Sequence, residues 1–328
     1  MIEEFSFGAF PLGMAGTPDG LATGPPDDFE QIRRAFDRLR GNGPPLLLRM
    51  YVAWFGADST DAALSQVARI AAADARWELA LCYRDERGDV DAWTSFVARV
   101  VAEYGHRLQV VQVTSEANLT GIPSAADGAF PGAAEALVRG VIAATRARAD
   151  GASSPAIGFA AVPDAGPAEP GFWPALRTLG GEEFAAAVDF AGLDMYPDVF
   201  GPRFELDQLD GVVDWLLRSF RQESLPAAGI GSSVPIRICE NGWPTGPERP
   251  EERQADVLER VLRAIHARRD ELGVRHWSLF TLRDADSSRD DMSFRFGIMR
   301  SDYAPKPAFG RLVEVIASLR GGTGPPRS

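Results

Sequence analysis

Cysteine is scarce in this 328-residue chain: Cys82 and Cys239 are the only two, and both sit inside apolar runs. Two distant cysteines cannot build a disulfide framework or a four-ligand zinc site, so buried free thiols are expected. The three histidines, His106, His266 and His276, are scattered without ligand spacing. Long hydrophobic runs are missing as well. None approaches the ~20 residues that span a bilayer, so no membrane partner is expected. The opening MIEEFSFGAF carries acids where a secretory leader has basic residues, which makes a cytoplasmic location the expectation. Positive charge is in deficit, with 34 Lys and Arg against 46 Asp and Glu, a net charge of −12. That balance speaks against nucleic acid and anionic membranes, and a neutral small-molecule or oligosaccharide ligand fits it best. No G-x-S-x-G nucleophile elbow occurs, which argues against a serine hydrolase. No glycine-rich phosphate loop follows the first strand; Gly229-Ile230-Gly231 lacks the third glycine and the helix behind it. Asp284, Asp286, Ser288 and Asp290 lack the glycine and terminal glutamate of a calcium loop. Neither metal nor cofactor is expected.

What is present reads as one α/β domain. Apolar residues make up 45% and charged residues 24%, a balance that supports a sizeable core. Short apolar runs mark eight strands: Phe5–Phe10, Leu46–Val52, Trp77–Tyr83, Leu108–Thr114, Ala156–Val162, Phe190–Tyr196, Pro235–Glu240 and Trp277–Leu282. Several are almost wholly apolar, as parallel strands covered by helices should be. Amphipathic stretches lie between them. Asp27-Asp28 opens Phe29–Arg40, and Ser59-Thr60-Asp61 opens a helix through Ala73. Pro131 opens Ala133–Arg148, Asp207 begins a helix ending near Gln222, Pro250 begins Glu251–Glu271, and Pro307 begins the last, to Leu319. Strand–helix alternation repeated eight times, with right-handed crossovers, closes into a single (β/α)₈ TIM barrel over residues 1–320. The Gly/Pro-rich tail Gly321–Ser328 reads as disordered.

In such a barrel the active site lies where the strands end, at their C-terminal face. Two glutamates stand there. Glu116 follows the run Val110–Val113 in VVQVTSEANLTG, and Glu240 closes the seventh strand in IRICENGWPTG. Strands four and seven face each other across the mouth, so two inward carboxylates can flank one bond. Retaining glycosidases need that arrangement, with the carboxyl groups about 5–5.5 Å apart. One must start protonated, raised by burial or by its anionic partner; the other must stay ionised, held by donors. Arg49 on strand two and Tyr196 on strand six offer such donors.

These segments resemble the clan A glycoside hydrolases, and within that clan they are most similar to families 39 and 17. ENGWPTG (Glu240–Gly246) resembles the nucleophile segment, and GLDMYPDVF (Gly192–Phe200) the strand-six segment that ends in a tyrosine. WSLFTLRDADSS with FGIMRSDYAPKPAF (Trp277–Ser288 and Phe296–Phe309) resembles the strand-eight and closing region. The resemblance implies retaining hydrolysis of a β-glycosidic bond, with Glu240 as nucleophile and Glu116 as acid/base. It further implies that Tyr196 hydrogen-bonds the nucleophile and that Arg49 supports it. The family usually places Asn before the acid/base, where it meets the sugar 2-hydroxyl; this chain has Ser115. Asn118, Trp243 and Trp277 complete the expected substrate contacts, the indoles by stacking on sugar faces. Two other readings remain open: a biosynthetic enzyme using the carboxylate pair on a non-sugar substrate, and a non-catalytic carbohydrate-binding barrel.

Overall fold

The computed structural model describes residues 5–149, 151, 154–164 and 171–321. The chain begins with β1 (Ser6–Ala9), then a hairpin of β2 (Met14–Thr17) and β3 (Gly20–Thr23), then α1 (Phe29–Arg40). Next come β4 (Leu47–Trp54), α2 (Thr60–Ala72), β5 (Trp77–Tyr83), α3 (Val90–Tyr104), β6 (Leu108–Val113) and α4 (Ala133–Ala147). Then follow β7 (Ala156–Ala161), α5 (Phe172–Ala187), β8 (Phe190–Asp194), α6 (Leu209–Ser219) and a short α7 (Leu225–Ala227). The last elements are β9 (Ile236–Asn241), α8 (Glu251–Ala267), α9 (Arg269–Leu272), β10 (Val274–Leu279) and α10 (Pro307–Arg320). All strands except the hairpin are parallel and close in the order β1-β10-β9-β8-β7-β6-β5-β4, with β4 pairing back onto β1. The fold is a (β/α)₈ barrel. Barrel strands two, four, six, seven and eight are thus β4, β6, β8, β9 and β10.

Side-chain caps set two of the helix starts, those of α1 and α3. Asp28 caps α1 by accepting from the amides of Glu30 and Gln31, so the helix begins where the acidic pair stands. Several strand ends shift by a residue or two, and four elements depart in ways that matter. The eighth barrel strand runs over Val274–Leu279 instead of Trp277–Leu282, because Arg275 and His276, polar enough to look like a loop, belong to the ladder. The sixth ends at Asp194 and leaves Tyr196 beyond it. The helix expected over Glu251–Glu271 breaks after Ala267 into α8 and α9. The one expected to end near Gln222 closes at Ser219 and continues as a π turn over Phe220–Ser224. The β2–β3 hairpin was not expected at all, although Pro18-Asp19-Gly20 is a turn signal. Its Thr17 carbonyl accepts from Ser124 Oγ, which ties the hairpin to the loop after β6. Apart from Gly321, the tail lies outside the described residues.

The barrel interior departs from the usual layers of branched apolar side chains. A small cluster of Leu47, Val110, Ala160, Phe190 and Cys239 shares it with buried Arg49, Glu78, Gln112 and His276. Gly8 makes room for this filling: a Cβ there would lie 3.0 Å from the His276 ring and 2.9 Å from the Leu47 carbonyl.

Candidate active site

Strand pairing places the site. Arg49 and Tyr51 are two apart on β4, so both face inward, and Arg49 pairs in register with Glu78 of β5. On β8, Asp194 pairs with Glu240 of β9, and Tyr196 lies two residues further on the same side. One device is specific to β9. Its register skips Cys239 against β8 (Leu193↔Ile238, then Asp194↔Glu240), and β10 meets the same extra residue. A regular pleat would send neighbours to opposite faces. This bulge lets Cys239 pack inside the barrel while Glu240 also turns toward the interior, the re-aiming that bulges beside active sites commonly perform.

Glu240 is 7% exposed, and both its oxygens are held. Tyr51 donates its hydroxyl to Oε1 at 2.6 Å, and Tyr196 donates to Oε2 at 2.6 Å. Arg49 lies 3.5 Å from Oε1 and also donates Nε to the Tyr51 oxygen at 2.7 Å. The same guanidinium donates to Glu78 and, at 2.8 Å, to the Gln112 side-chain oxygen Oε1. Arg237 donates to the other Glu78 oxygen, and His276 lies 3.6 Å away. Burial alone would raise the Glu78 carboxyl; Arg237 and then Arg49 outweigh it and hold the group at about 2. Burial raises the hydroxyls of Tyr51 and Tyr196 well above the ordinary range, so both remain donors.

Glu116 lies on a different support. It is 8% exposed, in the loop after β6. Thr114 (φ 66°) and Glu116 (φ 50°) both adopt left-handed backbone, a strained arrangement that needs its surroundings to hold it. Asp127 does so: its Oδ2 accepts from the amides of Ser115 and Tyr83, both at 2.8 Å, and Arg84 Nε lies 2.9 Å from its Oδ1. Burial raises the Glu116 carboxyl well above the usual range, and the Glu240 charge adds to the rise.

Glu116, Asp194 and Glu240 each bring one oxygen within 4.8 Å of the others. That spacing would suit a divalent cation, yet two tyrosine hydroxyls and Arg49 already serve Glu240. The arrangement is better suited to holding protons unequally.

The other expected contacts fall elsewhere. Ser115 is buried, with its backbone tied to Asp127 in both directions. Asn118 is fully buried; its amide donates to the Val162 carbonyl at 2.9 Å and its oxygen accepts from the Val162 N–H at 2.9 Å, joining the ends of β6 and β7. Trp243 and Trp277 are 2% and 1% exposed, too enclosed to offer a face to a sugar. Their Nε1 atoms donate to Asp198 and Asn241, each at 3.0 Å. The aromatic surface near Glu240 is built from other rings. Phe200 (64% exposed) packs edge-on against Tyr196 with centroids 5.3 Å apart, and Phe280 and Phe296 adjoin the same tyrosine. Tyr51, Glu78, Asp194, Arg237 and Asp127 were not anticipated. Inward alternation from Arg49 and Tyr196 would have found the two nearest Glu240, since Tyr51 and Asp194 lie two residues from them.

No family model matches the chain, and no curated protein matches it either. Solved structures do. A GH5_18 enzyme from Streptomyces cattleya in complex with GlcNAc aligns at 16% identity and TM-score 0.62, over 100% of this chain and 83% of that one. A beta-glucosidase, 1317, aligns at 15% identity and TM-score 0.59, over 90% of this chain and 88% of that one. A β-glucuronidase from Ruminococcus gnavus in complex with D-glucuronic acid aligns at 12% identity and TM-score 0.61, over 96% of this chain and 49% of that one. The structural neighbours are glycoside hydrolases, and this chain has their barrel fold. Among the described residues no helix is long and apolar enough to cross a membrane.

Proposed function

We propose that this protein is a retaining glycoside hydrolase of clan A that cleaves a β-glycosidic bond in a neutral saccharide or glycoside. Glu240 is the nucleophile and Glu116 the acid/base. The observation that carries the reading is a pair of buried carboxylates with oxygens within 4.8 Å of each other and unequal surroundings. Oxygens that close suit attack on the anomeric carbon by one carboxyl and protonation of the leaving group by the other. Two tyrosine hydroxyls and Arg49 present donors to both oxygens of Glu240, the surroundings a carboxylate nucleophile needs. Burial and the neighbouring charge keep a proton on Glu116.

In the first step Glu116 gives its proton to the leaving oxygen while a Glu240 oxygen bonds the anomeric carbon. In the second, Glu116, now a carboxylate, takes a proton from water as the water attacks the same carbon and releases Glu240. A neutral substrate fits because Arg49, the guanidinium beside Glu240, is already engaged by Glu78 and Gln112. The test is an aryl β-glycoside panel of gluco, galacto, xylo and manno configuration, with Glu240→Ala as control, followed by a mechanism-based epoxide. Turnover lost in the variant and a label on the Glu240 peptide are expected. Absence of both across the panel would refute the reading in favour of non-sugar chemistry or simple carbohydrate binding.

A further inference from the structure

Catalysis as described uses two carboxylates, yet the barrel packs three into one space. Asp194 is 1% exposed, faces Glu240 across the β8–β9 ladder, and among the described residues neither of its oxygens has a hydrogen-bond partner. Its ionisable and charged neighbours come from every side: Arg49 and Tyr51 of β4, Glu78 of β5, Glu116 after β6, and Cys239 and Glu240 of β9. The fixed charges balance without it. The guanidiniums of Arg49 and Arg237 stand against the carboxylates of Glu78 and Glu240, and Arg84 stands against Asp127. Burial, with Arg237 next in weight, keeps His276 from adding a positive charge. Within this set no cation is left for either Asp194 or Glu116.

We propose, on the footing of the glycosidase reading, that Asp194 is a positioning residue that carries a proton in the active enzyme, and that its ionisation together with that of Glu116 switches the site off at alkaline pH. Burial and then the charge of Glu240 push the Asp194 carboxyl well above the ordinary aspartate range, in the same sense as Glu116. With Asp194 neutral, Glu240 holds the one negative charge in the trio and attacks unopposed. With Asp194 ionised, a second anion lies within 4.8 Å of both glutamates. Its attraction for the Glu116 proton, at an effective dielectric of about 20, makes that proton on the order of a hundredfold harder to release. The leaving oxygen then goes unprotonated. Two carboxyls that repel in this way lose their protons in two steps about two pH units apart, so the first ionisation of the pair sets the alkaline midpoint.

The test compares wild type with Asp194→Asn, a neutral isostere, on a substrate that the panel shows to be turned over. On a logarithmic plot the alkaline limb of kcat/KM should fall with a slope of one in both, steepening toward two only in wild type about two pH units above the midpoint, and the midpoint should move upward in the variant because only Glu116 is left to ionise. The same midpoint in both, with no steepening in wild type, would leave Asp194 a packing residue only. A variant midpoint displaced downward by more than about one pH unit would mean that Asp194 is charged in the working enzyme. A second measurement needs no turnover. Infrared spectra of protein labelled in its aspartate carboxyls should show, at mildly alkaline pH, a protonated-acid stretch that vanishes in Asp194→Asn, or in Asp194→Ser if the amide is not tolerated. No difference between wild type and both variants overturns the proposal. The band without any turnover would instead refute the glycosidase reading.

Discussion

Glu78 is the anion on which the site's charge pattern rests, and replacing it with glutamine isolates that role. It is fully buried and accepts from both Arg49 and Arg237, with His276 3.6 Å away. Its carboxyl is held at about 2 against an ordinary 4.5. At roughly 1.4 kcal/mol per unit, that difference corresponds to about 3 kcal/mol of preference for the charged form in the folded state. Removing one partner of a buried ion pair costs about 3–5 kcal/mol, because the other charge stays behind. Glu78→Gln should therefore lose about 3–5 kcal/mol near neutral pH, read from urea unfolding by tryptophan fluorescence and far-UV dichroism. The pH dependence supplies a sharper check. A carboxyl whose folded pKa is depressed stabilises fully above its unfolded value, here about 4.5, and that contribution drains away as pH falls through about 2. The gap between wild type and variant should thus narrow by about 2 kcal/mol between neutrality and about pH 3. A loss below about 1 kcal/mol at neutral pH, or a gap that does not narrow in acid, would refute the argument.

Tyr51→Phe removes a 2.6 Å hydrogen bond to Glu240 and the acceptor for Arg49 Nε. A bond to a charged group is worth about 1.5–3 kcal/mol, so kcat/KM on an aryl glycoside should fall about 10- to 150-fold, and the stranded Arg49 Nε should cost a further ~1–3 kcal/mol of stability. Trp243→Phe leaves Asp198 Oδ2 without its indole donor and should cost about 1–3 kcal/mol of stability while KM stays put; a large KM effect would restore Trp243 as a sugar contact. Asn118→Ala strands both backbone groups of Val162 and should lower the thermal midpoint rather than substrate affinity. Burial pushes the Cys82 thiol up to about 12 and the Cys239 thiol well above its ordinary range. A thiol reagent should react with neither until the protein unfolds, and rapid labelling of the native protein would contradict their placement.

The barrel was legible because short apolar runs alternate with amphipathic stretches along the whole chain, and Trp77–Tyr83 and Phe29–Arg40 have their expected limits. The polar filling was not. Glu78 sits inside WELALCY and Arg237 inside IRICEN, and a lone charge in an apolar strand looks like a surface residue until closure brings strands from opposite sides together. The same blindness displaced the eighth barrel strand, where His276 seemed to precede the ladder it belongs to. The positions of Glu116 and Glu240 followed from strand ends alone. The inward turn of Glu240 did not, since it depends on a bulge that simple alternation does not report. The tryptophans misled for another reason: an indole near a strand end is equally consistent with a stacking face and with an N–H spent on anchoring a loop, as in Trp243 to Asp198.

Why the barrel carries buried charge at all follows from what an apolar filling could not do. Packing alone does not require it, since hydrophobic replacement of buried ion pairs is often neutral or stabilising. An apolar floor, however, would leave Glu240 beside two other buried carboxyls with no cation near any of them. Arg49 supplies one to Glu240. It stands 3.5 Å from Glu240, and Glu78 and Gln112 hold its guanidinium from below. Arg237 supplies the second positive charge that lets Glu78 stay ionised beneath it. The positive field therefore reaches Glu240 from β4, while Glu116 hangs from the strained loop after β6 and Asp194 faces Glu240 from β8 without a donor. Three chemically similar acids are made unequal by which strand each hangs from.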